Sequence, residues 1–253
     1  NMLSKILLKE KDISFTADNN TTHSIWKIDD HHNIEMIKNY FSTIPSLYIA
    51  DGHHRAASAS RVQKLRKDRE LLENDDIGSE YFLSAIFPHN EVQILGYNRV
   101  IKDLAGLTVN QFILLVEEKF YLKELAQAEA PSKRSCFTMY LNRVWYRLEA
   151  KNKILSNDSV LGLDASILQD HIMEPILKIG DPRTSNRIDF VGGIRGLDEL
   201  ERRCGLDAKV AFALYPVTVE QLLKVSDEGK VMPPKSTWFE PKLRSGLVVR
   251  SLD

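Results

Sequence analysis

Leu47-Tyr48-Ile49-Ala50-Asp51-Gly52-His53-His54-Arg55-Ala56-Ala57-Ser58-Ala59-Ser60 is the stretch on which the reading of the chain turns. Four apolar residues predict a short buried strand and Asp51-Gly52 breaks it. From about His54 a run of small residues predicts a helix able to pack closely on a sheet. Gly52 allows a backbone conformation that residues with a Cβ resist. The first turn of a helix leaves N–H groups without intrahelical acceptors, and with the helix dipole these favour an anion. Arg55 adds a forked cation suited to phosphate, and His53 and His54 add donors near neutral pH. The composition is that of a phosphate cradle. A plain Asp-Gly turn with Asp51 as a helix cap fits the same letters.

Upstream, Ile13–Thr16 and His23–Ile28 alternate as strands around Asp18-Asn19-Asn20, which predicts a β-hairpin. Asp29 or Asp30 then caps a helix with Ile34, Ile37, Tyr40 and Phe41 on one face, ended by Pro45. Downstream, the charged stretch from Lys64 to Asp76 predicts a solvated helix end and loop. Tyr81–Phe87 and Val92–Ile101 predict strands, Thr108 caps a helix, and Ser135–Leu141 and Val144–Leu148 form a strand pair joined at Asn142-Arg143. Asp164 is expected to cap a helix with Ile167, Leu168, Ile172 and Ile176. Arg187–Val191 is a strand running into Gly192-Gly193, Leu197–Cys204 a helix closed by Gly205, Lys209–Leu214 a strand, and Thr218 the start of another helix. Met232–Phe239 is a rigid non-helical segment. Strands and helices alternate throughout, so the fold class is mixed α/β (α+β). The softest boundary, near residues 103–108, divides a phosphate-binding region, 1–105, from a C-terminal α/β region, 106–253, that completes the site.

Composition narrows the function. The 253 residues are 43% hydrophobic and 27% charged, with a net charge of −1, so an anion site must be built locally and no global field draws nucleic acid or an anionic membrane. Cys136 and Cys204 lie far apart without metal-type spacing, which fits a reducing, cytoplasmic compartment. No apolar run is long enough to span a bilayer and no signal peptide is visible. His23, His31, His32 and His171 show no metal-ligand spacing, so no protein-built metal site is expected.

Tyr48-Ile49-Ala50-Asp51-Gly52-His53-His54-Arg55, followed by its Ala-rich helix, resembles the signature of a bacterial and archaeal uncharacterised-domain family. Its core is similar to the Gly-x-His-Arg motif of the ParB/sulfiredoxin superfamily, in which this turn holds nucleotide phosphates. The free-serine kinases of that superfamily, which use ADP, ATP or pyrophosphate, match best in their Asp-Gly-x-His-Arg form. Tyr97-Asn98-Arg99-Val100, Asp181-Pro182-Arg183-Thr184, Asp189-Phe190-Val191-Gly192-Gly193 and Pro233-Pro234-Lys235-Ser236-Thr237-Trp238-Phe239 look like further pieces of the uncharacterised family. The resemblance therefore covers most of residues 23–250. It implies a ParB/sulfiredoxin-like strand–turn–helix site and a kinase acting on a small amino acid, free L-serine above all. Family members usually carry a further N-terminal region, and the related kinases place a general-base glutamate upstream of the turn. Glu10 and Glu35 lie upstream here in contexts that do not match, which leaves the base open. Sulfiredoxin chemistry needs a cysteine in the turn where this chain has histidine. ParB-type partitioning adds a helix-turn-helix and a basic surface, and neither is found.

On this reading Gly52, His53, His54 and Arg55 cradle the donor, and Asp51, His54 and Lys235 are the catalytic candidates. Asp51 can align the substrate ammonium, hold Mg²⁺, or accept the hydroxyl proton, or it can serve only as a cap. Lys235, Ser236 and Thr237, on a proline-stiffened loop, suit a transferring phosphoryl group, or form only an edge connection with an exposed lysine. Arg195, after Gly192-Gly193, can clamp a carboxylate or phosphate, or the stretch is a plain tight turn before a helix, and Arg99 and Arg183 are further anion ligands or ordinary surface arginines. Mg²⁺ bridges the phosphates of a pyrophosphate, ADP or ATP donor, because phosphoryl transfer needs charge neutralisation and in-line positioning. The expected partners are a small-molecule acceptor and this donor, with no nucleic acid and no membrane; a homo-oligomer is left open. The alternative is a non-catalytic nucleotide-binding regulatory module.

Overall fold

A computed structural model describes residues 2–18, 20–68 and 78–250 of the chain. Two compact units are present, 1–49 and 50–253.

The first unit holds a short helix α1 (Met2–Ile6), the hairpin β1 (Ile13–Thr16) and β2 (Thr22–Ile25), and helix α2 (His31–Ser42). The hairpin pairs Ile13 with Ile25 and Thr16 with Thr22, as its alternation predicts, though β2 ends earlier than expected. Asn19, inside the expected turn, lies outside the described residues. Of the two candidate caps for α2 it is Asp30 that serves, its carboxylate accepting from the Asn33 N–H at 2.9 Å.

The second unit opens with α3 (His53–Asp68) and is organised around a six-stranded sheet. Its strands include β4 (Tyr97–Ile101), β5 (Phe120–Leu125), β6 (Cys136–Leu141), β7 (Val144–Ala150), β8 (Ile188–Gly192) and β9 (Val210–Leu214). They lie in the order β5-β7-β6-β9-β4-β8, every pair antiparallel. A separate pair joins β3 (Gln93–Leu95) to β10 (Trp238–Glu240). Helices α4 (Val109–Glu117), α5 (Asp164–Leu168), α6 (Asp198–Leu206) and α7 (Val219–Asp227) complete the unit, which makes the chain mixed α/β. One apolar cluster gathers Ile101, Phe112, Phe120, Phe137, Met139, Leu148, Leu168 and Phe212, all essentially inaccessible. A second, on Val100, Val191, Leu200 and Ala211, joins the sheet to α6. Burial of this much aromatic and aliphatic surface is the main force holding the sheet together.

Local chemistry explains most of the element ends. Thr108 and Thr218 each form a capping box, with Gln111 and Gln221 respectively. Asn142 and Arg143 both take positive φ, 50° and 65°, which is how a two-residue connection matches the twist of β6 and β7. The expected strand Val92–Ile101 is interrupted at Gly96, where a Cβ would sit 2.4 Å from the Leu214 carbonyl oxygen.

Several expectations are corrected. Residues 47–50 form no strand, and Leu47, Tyr48 and Ile49 are exposed; four residues acquire strand geometry only through a ladder, and these belong to none of the described sheets. Tyr81–Phe87 is likewise coil and exposed throughout. Asp164 is the first residue inside its helix, which Leu163 precedes, and its side chain instead accepts from the Ser135 N–H at 2.9 Å. That helix passes into a π-turn over Gln169–Met173. Gly205 lies within α6, which Asp207 ends. The expected loop from Lys64 is helical as far as Asp68, and its remainder, 69–76, lies outside the described residues.

Candidate functional site

The turn at the head of α3 is open to solvent. Gly52 has φ +83°, a conformation a side chain would strain, and the Arg55 guanidinium folds back beside it, 3.2 Å from where a Cβ would stand. The helix begins with the Ala56 N–H donating to the Gly52 carbonyl at 2.9 Å. The N–H groups of His53, His54 and Arg55 meet no acceptor among the described residues. His53, His54 and Arg55 are exposed, and no residue of α3 is buried. Asp51 accepts from the Gly52 N–H at 2.7 Å with one carboxylate oxygen and from the Lys242 ammonium at 3.0 Å with the other. Burial works to raise the Asp51 carboxyl, but Lys242, the Gly52 N–H and Arg55 together hold it below its ordinary value, so it is ionised at neutral pH.

Three motifs that are distant in sequence converge around Trp238. The indole lies so close to Gly192 that a Cβ there would come within 2.4 Å of it. Its ring meets Tyr97 edge-on at 5.3 Å, and Tyr97 meets Phe190 at 6.0 Å. Trp238 stands opposite Leu95 in the β3–β10 pair, while the Gly193 N–H donates to the Gly96 carbonyl at 2.8 Å. Glu240 fixes the strap that follows: its carboxylate accepts from the Trp238 indole N–H at 2.7 Å and from the Lys242 N–H at 3.0 Å. Lys242 then lays its ammonium over the indole at 5.0 Å while reaching Asp51.

The other candidates fall in different places. Lys235 has positive φ, 57°, and presents its ammonium to the Tyr97 ring at 5.4 Å. Ser236 is buried and donates to the Pro233 carbonyl at 2.7 Å, and Thr237 beside it is half-buried. Arg99 is buried: its guanidinium donates to the Tyr97 carbonyl and lies over the Phe190 ring at 5.4 Å. Burial lowers its pKa to about 10, and it stays a cation at neutral pH. Arg183 forks onto Asp181, with contacts of 2.8 and 3.0 Å, in a turn where the Arg183 N–H also donates to that carboxylate. Arg195 is exposed and 3.8 Å from Glu199. Asn98, buried, accepts from the Leu214 N–H at 3.2 Å and closes the ladder where β9 ends.

The structure thus joins residues 51–52 to the Trp238 strap through Lys242, and joins that strap to Tyr97, Phe190 and Gly192. Sequence reasoning missed Lys242 and Glu240. The signal was present in Glu240-Pro241-Lys242, which directly follows the Trp-Phe pair. Among the described residues no group of three or more His, Cys, Asp or Glu side chains is placed to hold a metal ion. No described helix is long and apolar enough to cross a membrane.

Comparison with known proteins adds a family and a set of loose structural likenesses. The family model described as "Protein of unknown function (DUF1015)" matches residues 1–166. No curated protein matches the chain. Among solved structures, a free serine kinase in complex with AMP is 13% identical, with 84% of this chain and 81% of that one covered and a TM-score of 0.41. A mutant of a free serine kinase in complex with ADP gives the same identity, coverage and TM-score. A conserved hypothetical protein from Pyrococcus furiosus is 15% identical over 84% of each chain, with a TM-score of 0.39. At these TM-scores the likeness establishes neither a shared site nor a shared activity.

Proposed function

We propose that this chain, which belongs to the DUF1015 family, is a phosphotransferase whose donor phosphates sit on the turn at residues 51–55. The acceptor is a small amino acid, free L-serine first among them, and the donor is pyrophosphate or a nucleotide. The observation that carries this is the open head of α3: three N–H groups without acceptors among the described residues, an arginine folded over a positive-φ glycine, and an ionised aspartate beside them. Amides and dipole held in place before the ligand arrives stabilise phosphoryl charge without reorganisation. Gly52, His53, His54 and Arg55 would hold the donor, and Asp51 would orient the acceptor. Lys235, whose ammonium rests on an aromatic face, would reach the transferring group. The acidic and polar side chains at the turn fit an Mg²⁺ carried in on the donor rather than a resident ion, since one carboxylate with bridging phosphates is the usual magnesium arrangement.

A second reading, a nucleotide-binding regulatory module without catalysis, is favoured by one observation. Neither upstream glutamate, Glu10 or Glu35, stands in a context that matches the general base of the related kinases. Phosphorus NMR of the full-length protein with serine, Mg²⁺ and each donor in turn separates the two. Phosphoserine formation supports the kinase; donor binding with no phosphoserine from any donor supports the module.

A further inference from the structure

Asp51 and the head of α3 carry few fixed partners, yet one of them is tied down with unusual care. Lys242 has its own N–H bound to Glu240, the same carboxylate that holds the Trp238 indole N–H, and its ammonium lies on that indole at 5.0 Å. A surface lysine normally sacrifices rotamer freedom to make a contact; here the aromatic face and the pinned backbone have already restricted it. We propose that Lys242 is a further phosphate-binding residue of the turn, resting on Asp51 until an anion displaces that carboxylate. This rests on the reading of residues 51–55 given above.

The geometry argues for exchange. Lys242 reaches one Asp51 oxygen at 3.0 Å while the other oxygen accepts from the Gly52 N–H, so the ammonium stands one carboxylate away from the amide that immediately precedes α3. Both side chains are largely exposed, 43% for Lys242 and 61% for Asp51, and ion pairs of that kind are weak and readily replaced. A phosphate with two negative charges and three acceptor oxygens is the stronger partner for an ammonium with three donors. Exchange has a second consequence: it frees the Asp51 oxygen for the acceptor at the moment the donor arrives.

Isothermal titration of pyrophosphate into the full chain tests this. Lys242→Gln is expected to weaken binding about tenfold, the worth of one charge-assisted hydrogen bond, and Lys242→Arg to restore most of it. Asp51→Asn keeps the acceptor for the Gly52 N–H but removes the competing charge. In that background Lys242→Gln is expected to cost more than it does in the wild type. Equal affinity of Lys242→Gln and wild type, or the same cost of Lys242→Gln in both backgrounds, overturns the proposal. Arg55→Ala keeps the two readings apart. Binding that falls with Arg55→Ala but not with Lys242→Gln leaves the turn standing and removes Lys242 from it. A wild-type chain that binds neither pyrophosphate nor ADP nor ATP overturns both.

Discussion

The six-stranded sheet and the arm made by residues 51–68 are built on opposite principles. In the sheet, Ile101, Phe137 and Phe212 are wholly inaccessible, and glycines at 96, 192 and 193 let backbone and indole approach closely. In the arm no residue is buried, and its head leaves polar groups unanswered. Close packing fixes positions to fractions of an ångström but leaves nothing over for a ligand. Exposed helix ends can take a ligand but cannot place themselves. The strap at residues 238–242 reconciles the two, with one end packed on Gly192 and the other paired with Asp51.

The sharpest way to break this comparison is in the sheet. Phe212→Ala is expected to destabilise the chain by about 3–5 kcal/mol, through lost burial and the cavity left behind, as read by urea unfolding. Next, Gly192→Ala must push the Trp238 indole aside. A cost of about 1–3 kcal/mol is expected for such overpacking, together with a shift in tryptophan emission. An unchanged emission spectrum would show that the strap does not depend on this contact.

Asp164 gives a pH-dependent test inside the packed unit. It is buried, one of its oxygens has no hydrogen-bond partner among the described residues, and burial raises its pKa from 3.8 to about 6. Because the folded value lies above the unfolded one, the native state binds the proton more tightly. This contribution to stability is complete below about pH 4 and is lost as pH rises through about 6. Asp164→Asn is therefore expected to be more stable than wild type at pH 8 by about 1–2 kcal/mol, less than the full shift because the new amide is also left unpaired. At pH 4 the advantage should vanish. A stability difference independent of pH would contradict this.

The smallest effect belongs to the strap where it meets the arm. Lys242→Gln should change unfolding stability by less than about 1 kcal/mol, as expected for an exposed ion pair, whatever it does to anion binding. A large loss of stability would make Lys242 part of the scaffold.

How much of this was legible in the sequence follows the same division. Hairpins and caps are local, and the Thr108 and Thr218 boxes, Asp30 and the Asn142-Arg143 turn could all be read from neighbouring residues. Strand β5 was not read, because Phe120–Leu125 is charged on its open side and follows its helix without a turn signal. Residues 47–50 and 81–87 look like strands in their apolar letters alone, but pairing is a property of partners that a segment does not contain. At the site, the positive φ of Gly52 and the exposed His-His-Arg head were in the letters. The convergence of Tyr97, Phe190, Gly192 and Trp238, and the reach of Lys242 to Asp51, depend on contacts between residues far apart in the chain.

The most direct measurement is a titration of pyrophosphate followed through the backbone amide resonances of the labelled protein. The account predicts that the His53, His54 and Arg55 amides shift first and furthest, downfield as charge-assisted donors do, and that Arg55→Ala abolishes saturation. Shifts confined to other residues, with these three amides unmoved at saturating pyrophosphate, would contradict it.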